Sequence, residues 1–314
     1  MIGFDIGGTK CAVSVGHEQN GTLVIEGKQI LPTDLSCSPY EMIDRMCKLA
    51  EKMTDDFSSI GISCGGPLDS RRGIILSPPN LPGWDEVEIV SYLKNRYGGR
   101  VTLQNDANAC AVAEWRYGAG RGTKNMVFLT FGTGMGAGLI LDGRLYAGTS
   151  DMAGEIGHVR MEADGPIGYG KRGSFEGFCS GSGIAQIGRA MASEALARGQ
   201  AVSFCRGVDF LSSINAKTIA DSANAGHADA LRVYEICAEK LGAGLSILID
   251  VLNPEVIVIG SVFLRAENLL RETMQRVIER EALPHAYSVC RVLPAALGEQ
   301  LGDYAALSLA AGTD

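Results

Sequence analysis

Two glycine-rich turns, each entered from a β-type run and each carrying a threonine, constrain this chain more than any other feature. The first is Phe4-Asp5-Ile6-Gly7-Gly8-Thr9-Lys10, and the second is Leu129-Thr130-Phe131-Gly132-Thr133-Gly134-Met135-Gly136-Ala137-Gly138. A backbone without Cβ atoms can approach phosphate oxygens closely and present several N–H donors at once. One such turn reads most simply as a tight reversal between strands. The pair reads as a duplicated phosphate grip around a nucleotide, because the surroundings repeat as well. Cys11-Ala12-Val13-Ser14-Val15 follows the first turn as a strand, and Asn20-Gly21 signals a hairpin before Thr22-Leu23-Val24-Ile25. Leu139-Ile140-Leu141 follows the second turn, with Asp142-Gly143 as the matching hairpin signal.

Composition bounds what surrounds these turns. With 314 residues, 46% of them apolar, the chain can bury one large core or two moderate ones. Its 28 basic and 36 acidic residues give a net charge of −8, which argues against a nucleic-acid surface. A nucleotide remains compatible, since local N–H groups and a metal ion outweigh the global charge. Nine cysteines, scattered without regular spacing, read as reduced thiols and so as a cytoplasmic protein. No run resembles a targeting segment or a membrane span: Leu245 to Ile259 comes nearest, and Asp250, Asn253, Pro254 and Glu255 interrupt it.

Strands and helices alternate along the chain, which points to an α/β fold. Helical spacing of Met42, Met46, Leu49, Ala50 and Met53 predicts a helix from Pro39 to Phe57. Strands are expected at 59–63, 101–103, 125–131 and 255–259, and helices at 109–117 and 232–251. Asn253-Pro254 should end the last of these helices. Ser77 to Trp84 is too rich in proline for regular structure, and Gly298 to Ala311 favours a helix.

Taken in order, these motifs resemble those of the ROK family (repressor, open reading frame, kinase), within the actin-like ATPase and sugar kinase superfamily. Asp5-Ile6-Gly7-Gly8-Thr9-Lys10 is similar to the family's first phosphate motif, and Asn105-Asp106-Ala107-Asn108 to its catalytic-base motif. Gly132 to Gly138 is similar to the second phosphate motif, and Ala153-Gly154-Glu155-Ile156-Gly157-His158 to the sugar-contact segment. Ala216-Lys217-Thr218-Ile219-Ala220 and Ala225-Gly226 also follow the family pattern. The resemblance implies two actin-like (ribonuclease H-like) lobes, with mixed sheets flanked by helices and an active-site cleft between them. It places one lobe at 1–110, joined by a C-terminal helix at 298–314, and a larger lobe at 111–297.

Phosphoryl transfer needs in-line positioning, charge neutralisation and a carboxylate to accept the proton of the attacking hydroxyl. The resemblance assigns that base to Asp106, which on its own would read as the N-cap of the helix that follows. It assigns ATP and magnesium as cofactors, with Asp5 holding the metal directly or through water. Phosphate contacts fall to the hydroxyls of Thr9 and Thr133, the backbone donors of Gly7, Gly8, Gly132 and Gly134, and Lys10. Gly260 would lie near the adenosine. The sugar contacts implied are Gly66, Asn80, Asn105, Asp106, Glu155, His158 and Glu176. By themselves Asn80 would be a turn residue, His158 a structural histidine and Glu176 a surface charge. Trp84 is expected to pack structurally.

Two departures from the family pattern stand out. Many ROK proteins hold three close cysteines after the Glu-x-Gly-His segment, which bind zinc with that histidine. Here Tyr169 and Ser174 occupy two of those places, and His158 with Cys179 would supply at most two of the four ligands that structural zinc takes. No zinc is therefore expected, with packing of Ile167, Tyr169 and Phe175 in its stead. The second departure is Gly260-Ser261, where consecutive glycines are usual. The class implied is a hexokinase acting on the 6-hydroxyl of glucose or a related hexose or N-acetylhexosamine, with ATP or polyphosphate as donor. The alternatives are a sugar-sensing regulator and a sugar-binding pseudo-kinase. The chain starts at the first phosphate strand without a helix-turn-helix, which favours the kinase. A homodimer is expected, with no nucleic-acid or membrane partner.

Overall fold

The computed structural model describes residues 1–312. In chain order, β1 (Ile2–Ile6), β2 (Lys10–Gln19) and β3 (Thr22–Pro32) lead into α1 (Pro39–Ala50), β4 (Ser59–Cys64), β5 (Arg100–Asn105) and α2 (Asp106–Tyr117). β6 (Met126–Phe131), β7 (Met135–Leu141) and β8 (Arg144–Leu145) follow, then a small hairpin of β9 (Ile167–Gly168) and β10 (Lys171–Arg172). The remainder is α3 (Phe175–Phe178), α4 (Gly181–Ala197), α5 (Ala216–Asn224), α6 (Ala228–Leu252), β11 (Val256–Ile259), α7 (Val262–Glu281), β12 (Arg291–Pro294) and α8 (Leu301–Ala311); a further helix, Ile89–Tyr97, precedes β5, and other short pieces lie between.

The duplication read in the turns extends to topology. One five-stranded sheet has the order β3-β2-β1-β4-β5 and the other β8-β7-β6-β11-β12, the same pattern twice. β1 pairs with β2 antiparallel and with β4 parallel, and β4 pairs with β5 parallel, so the first sheet is mixed. The chain divides into two compact units. The first comprises Met1–Phe128, Gly138–Gly154 and the chain from Ala296; the second comprises Leu129–Ala137 and Glu155–Ala295.

In the first unit, Ile2, Phe4, Ile6, Ile60, Ile62, Val101 and Leu103 supply the sheet's share of a core that α1 completes with Met42, Ile43 and Met46. Each such side chain contributes about 1.5–3 kcal/mol when fully buried. The start of α1 is fixed by a capping box, in which Ser38 N–H donates to Glu41 Oε2 at 2.8 Å and Glu41 N–H to Ser38 Oγ at 3.3 Å. The helix ends at Ala50 rather than running to Phe57. Thr54 and Asp56 accept from the N–H groups of Asp56 and Ser58, turns that compete with helix where these residue types cluster. The expected helix near the C-terminus is α8, preceded by a single 3₁₀ turn, and it packs on β1, β4 and α2; residues 313 and 314 of the expected span lie outside the described residues. α8 lies close on the sheet because Gly61 presents no Cβ, which would stand 2.5 Å from Ala310 N. Ser77 to Trp84 has no regular structure and closes through Ser77 N–H to Trp84 O at 3.0 Å, with Trp84 only 2% exposed in the core.

In the second unit α6 packs against α5 and α7, and the buried Tyr234 of α6 donates its hydroxyl to Ala216 O at 2.9 Å. α6 ends at a left-handed Asn253, whose N–H bonds Ile249 O, with Pro254 next in line. All nine cysteines are free thiols. No helix is long and apolar enough to cross a membrane, among the described residues.

Candidate active site

Register puts the first unit's functional residues at one edge. Ile6, Cys64 and Asn105 are aligned across the parallel strands β1, β4 and β5, so the residues that follow, Gly7, Gly65 and Asp106, emerge together. The carboxyl ends of parallel strands are where open α/β sheets bind ligands. Asp5 sits one residue before the end of β1. The turn after it is closed by Gly7 N–H to Lys10 O at 3.1 Å, and Thr33 hydroxyl donates to Gly7 O at 2.6 Å. The Gly7 N–H is thus engaged inside the turn instead of facing outward as the sequence reading had it. Gly8 is pressed against the Asn80 loop, where an added Cβ would lie 2.8 Å from Asn80 Cβ. Thr9 and Lys10 are exposed, as are Asn80 and Gly66, the latter preceding a cis proline.

Asn105, not Asp106, caps α2: its Oδ1 accepts from Asn108 N–H at 2.7 Å. Asp106 is the first helical residue, an exposed carboxylate whose Oδ1 accepts from Ala107 N–H at 2.8 Å. Protein atoms crowd it on its inner side, and this loss of water moves its pKa above the usual carboxylate value, against the hydrogen bond from Ala107. Asp5, partly buried, is pushed up to about 6 by burial first, then by the carboxylates of Asp106 and Asp303. Asp303 itself accepts from Ser14 hydroxyl at 2.8 Å and from Lys28 Nζ at 2.7 Å. Lys28 and Lys10 pull the other way, and burial with the two acids outweighs them. Carboxylate oxygen is the donor a magnesium ion takes, usually one or two such groups completed by water and phosphate, so Asp5 fits the expected metal.

In the second unit the other glycine-rich turn repeats the device. Gly132 N–H donates to Gly134 O at 3.0 Å, so it too closes its own turn, and Gly181 N–H reaches Gly132 O at 2.8 Å. Thr133 is exposed and its carbonyl accepts from Ser182 hydroxyl at 3.0 Å. Glu176 of α3 accepts from Met135 N–H at 2.9 Å. A cleft of about 560 Å³ opens beside this turn, lined among others by Gly132, Thr133, Ser182, Arg189, Lys217 and Arg265. Small-molecule sites fall in this size range. Ser261 and Val262 also line it, whereas Gly260 lies just behind them and bonds Leu129 O at 3.0 Å. The cations Arg189, Lys217 and Arg265 were missed in the sequence, because they come from three separate helices; only the stretch around Lys217 carried a signal.

Glu155 and His158 are exposed at either end of a 3₁₀ turn. His158 O accepts from Lys171 Nζ at 2.7 Å, and its ring stands edge-on to Tyr169, with centroids 6.4 Å apart. Phe175 is fully buried as expected, but Ile167 and Tyr169 are 43% and 71% exposed. They do not pack into a metal's place. Hydrogen bonds tie the segment instead: Phe175 N–H to Val159 O at 2.8 Å, and Met161 N–H to Gly173 O at 2.8 Å. Cys179 is buried elsewhere, donating to Cys237 O at 3.4 Å. Among the described residues no three His, Cys, Asp or Glu side chains gather to hold a metal ion.

Two mixed five-stranded sheets of repeated topology, flanked by helices and each carrying a glycine-rich turn, define an internally duplicated α/β protein. The chain belongs to the ROK family, whose pattern matches residues 1–313. It is 29% identical to a glucokinase of Streptomyces coelicolor over 100% of this chain and 98% of that one. It is 29% identical to an N-acetylmannosamine kinase of Citrobacter koseri over 90% of each. Among solved structures, a ROK glucokinase from Streptomyces griseus in complex with glucose and AMPPNP is 28% identical, with a TM-score of 0.76 over 99% of both chains.

Proposed function

We propose that the protein is an ATP-dependent sugar kinase, transferring a phosphoryl group to the 6-hydroxyl of glucose or of a related hexose or N-acetylhexosamine. The observation that carries the reading is Asp106, an open carboxylate of raised pKa at the edge where the first phosphate turn and Asp5 also emerge. Glucose and an ATP analogue on a similar chain support the substrate pair.

Asp106 takes the proton of the attacking hydroxyl as the sugar oxygen bonds to phosphorus. The bond from phosphorus to the leaving nucleoside diphosphate breaks, and the displaced oxygen keeps that electron pair. Thr9, Gly8, Thr133 and Gly134 hold phosphate oxygens, with Lys10 at the rim of the first turn, while Gly7 and Gly132 shape the turns that carry them. Magnesium, when bound at Asp5, neutralises charge on those oxygens. Arg189, Lys217 and Arg265 give the second unit's cleft the positive lining a nucleotide needs. Gly66, Asn80, Asn105, Glu155, His158 and Glu176 supply the polar groups by which hydroxyls are recognised. Zinc has no part in this reading, supported by Cys179 facing Cys237. Nine free thiols support a cytoplasmic location, and the family resemblance supports a homodimer, which light scattering would check.

The test is ADP release with Mg-ATP across hexoses and N-acetylhexosamines, with polyphosphate as a second donor and Asp106→Asn as control. Sugar-dependent turnover that the substitution lowers by roughly 10²–10⁴-fold supports the kinase. Saturable sugar binding without turnover would move the protein to the sensor class.

A further inference from the structure

We infer that Tyr169 is a specificity-determining residue of the sugar site, steadying the His158 imidazole and offering its own ring to the sugar. The inference rests on the sugar-binding reading above. Tyr169 and Gly170 form the two-residue loop of the β9–β10 hairpin, in which Ile167 pairs with Arg172 and Gly168 with Lys171. Both loop residues have positive φ, +44° and +73°. Such loops favour Asn, Asp or Gly at the first position, and a bulky aromatic there is out of place on conformational grounds. Burial does not explain it either, since Tyr169 is 71% exposed, the most open of the exposed aromatic side chains. Neither backbone conformation nor burial accounts for a tyrosine at this position.

What the ring does touch is His158, at 6.4 Å between centroids and 79° between planes. The same hairpin grips the main chain of that residue through Lys171 Nζ and His158 O, 2.7 Å apart. The hairpin is itself anchored: Gln186 Oε1 accepts from Ile167 N–H at 2.9 Å, and Gln186 Nε2 donates to Ile167 O at 2.8 Å. Gly173 N–H to Pro166 O at 2.9 Å closes its base. A firm support thus holds an exposed aromatic beside a sugar-contact histidine. A pyranose presents C–H groups on its ring faces and hydroxyls at its rim. An aromatic face covers the former and a phenolic tip bonds the latter.

Turn chemistry supplies the discriminating variants. Tyr169→Asn suits the loop better than the native residue and removes the ring; Tyr169→Phe keeps the ring and removes the hydroxyl. The expected result with glucose and N-acetylmannosamine is an unfolding temperature unchanged or raised in Tyr169→Asn. The KM for the preferred sugar should rise about three- to tenfold, with kcat and the KM for ATP within about twofold. Tyr169→Phe should recover most of the loss. Equal sugar KM in wild type and Tyr169→Asn, or a lowered unfolding temperature accounting for the change, would overturn the inference. If wild type binds sugar by calorimetry but shows no turnover, the kinase reading falls, and weaker calorimetric binding by Tyr169→Asn still supports this one. A wild type that neither turns over nor binds sugar overturns both.

Discussion

Glu176 Oε2 accepts a hydrogen bond from the backbone N–H of Met135 at 2.9 Å, so a carboxylate of α3 buttresses the second glycine-rich turn. The next N–H, that of Gly136, donates to Thr130 Oγ1 at 2.9 Å, so Glu176 and Thr130 hold successive N–H groups at the turn's end. Glu176→Ala should therefore raise the KM for ATP as well as for sugar. Glu176→Gln keeps an oxygen acceptor and should affect ATP far less. A charge-assisted bond to backbone N–H contributes about 1.5–3 kcal/mol, or roughly ten- to hundredfold in affinity. Steady-state KM values for both substrates check this; an ATP KM unmoved by Glu176→Ala would dissociate the residue from the turn.

Asp106 sets an expectation about pH. Crowding raises its pKa, and the base must be ionised to accept a proton, so kcat/KM should fall as pH drops through that raised value. The acid limb should lie above about 3.9, the ordinary aspartate value, and should be missing from the residual activity of Asp106→Asn. Stability moves the other way. With its folded pKa above its unfolded one, the folded state binds more protons through that window, so rising pH lowers stability there. Asp106→Asn should accordingly unfold at a higher temperature than wild type near neutrality, and the difference should vanish below the unfolded value. A limb at or below the ordinary value would remove the crowding argument.

Glu114 predicts a stability effect away from chemistry. It is fully buried in α2 and accepts from three backbone N–H groups, Ala119 at 2.8 Å, Ala296 at 3.1 Å and Leu297 at 2.9 Å. It thereby fixes both the exit of α2 and the approach to α8. Glu114→Ala leaves three part-buried donors without this partner, at about 1–3 kcal/mol for each that water does not reach, and should lower the stability of the folded protein. Glu114→Gln retains one oxygen but turns an NH₂ group toward donors, so a loss of about 1–3 kcal/mol is expected in chemical denaturation. A neutral Glu114→Gln would mean that the three bonds add nothing net.

Much of this molecule is legible in its sequence where a local pattern has one physical solution. Gly7-Gly8-Thr9 and Asn20-Gly21 admit few conformations, and the paired turns already implied the duplicated sheet. Legibility fails where two local solutions compete. Asn105 and Asp106 can each cap a helix, and only the 2.7 Å approach of Asn105 Oδ1 to Asn108 N–H decides between them. The run after Ala50 has helical spacing, but its Thr and Asp side chains capture nearby N–H groups. It fails also where tertiary structure assembles distant residues, as with Arg189, Lys217 and Arg265 around the cleft. Ile167 and Tyr169 look like core by composition, yet one stands on a two-stranded hairpin and the other in its loop, and both are exposed.

Ser261 carries the last prediction. It precedes α7 with φ +58° and ψ −107°, a conformation natural to glycine, and its side chain makes no capping bond to the helix. An added Cβ at Gly132 would lie 3.5 Å from Ser261 Oγ, so the strained residue borders the second glycine-rich turn within the cleft. Strain of this kind costs about 1–3 kcal/mol. Ser261→Gly removes it, offset by about 0.4–1 kcal/mol of extra unfolded-chain entropy. Strain is the larger effect, so Ser261→Gly should stabilise the protein by about 1 kcal/mol, a rise of about 1–2 °C in Tm for a chain of this size. Ser261→Ala keeps the strain and loses only the hydroxyl, so its Tm should match wild type. The two variants separate what the residue does for ATP. A raised ATP KM in both would assign the hydroxyl to the nucleotide, whereas a raised KM in Ser261→Gly alone would assign the fixed backbone. If Ser261→Gly is no more stable than Ser261→Ala, the positive φ costs the fold nothing and the strain argument fails.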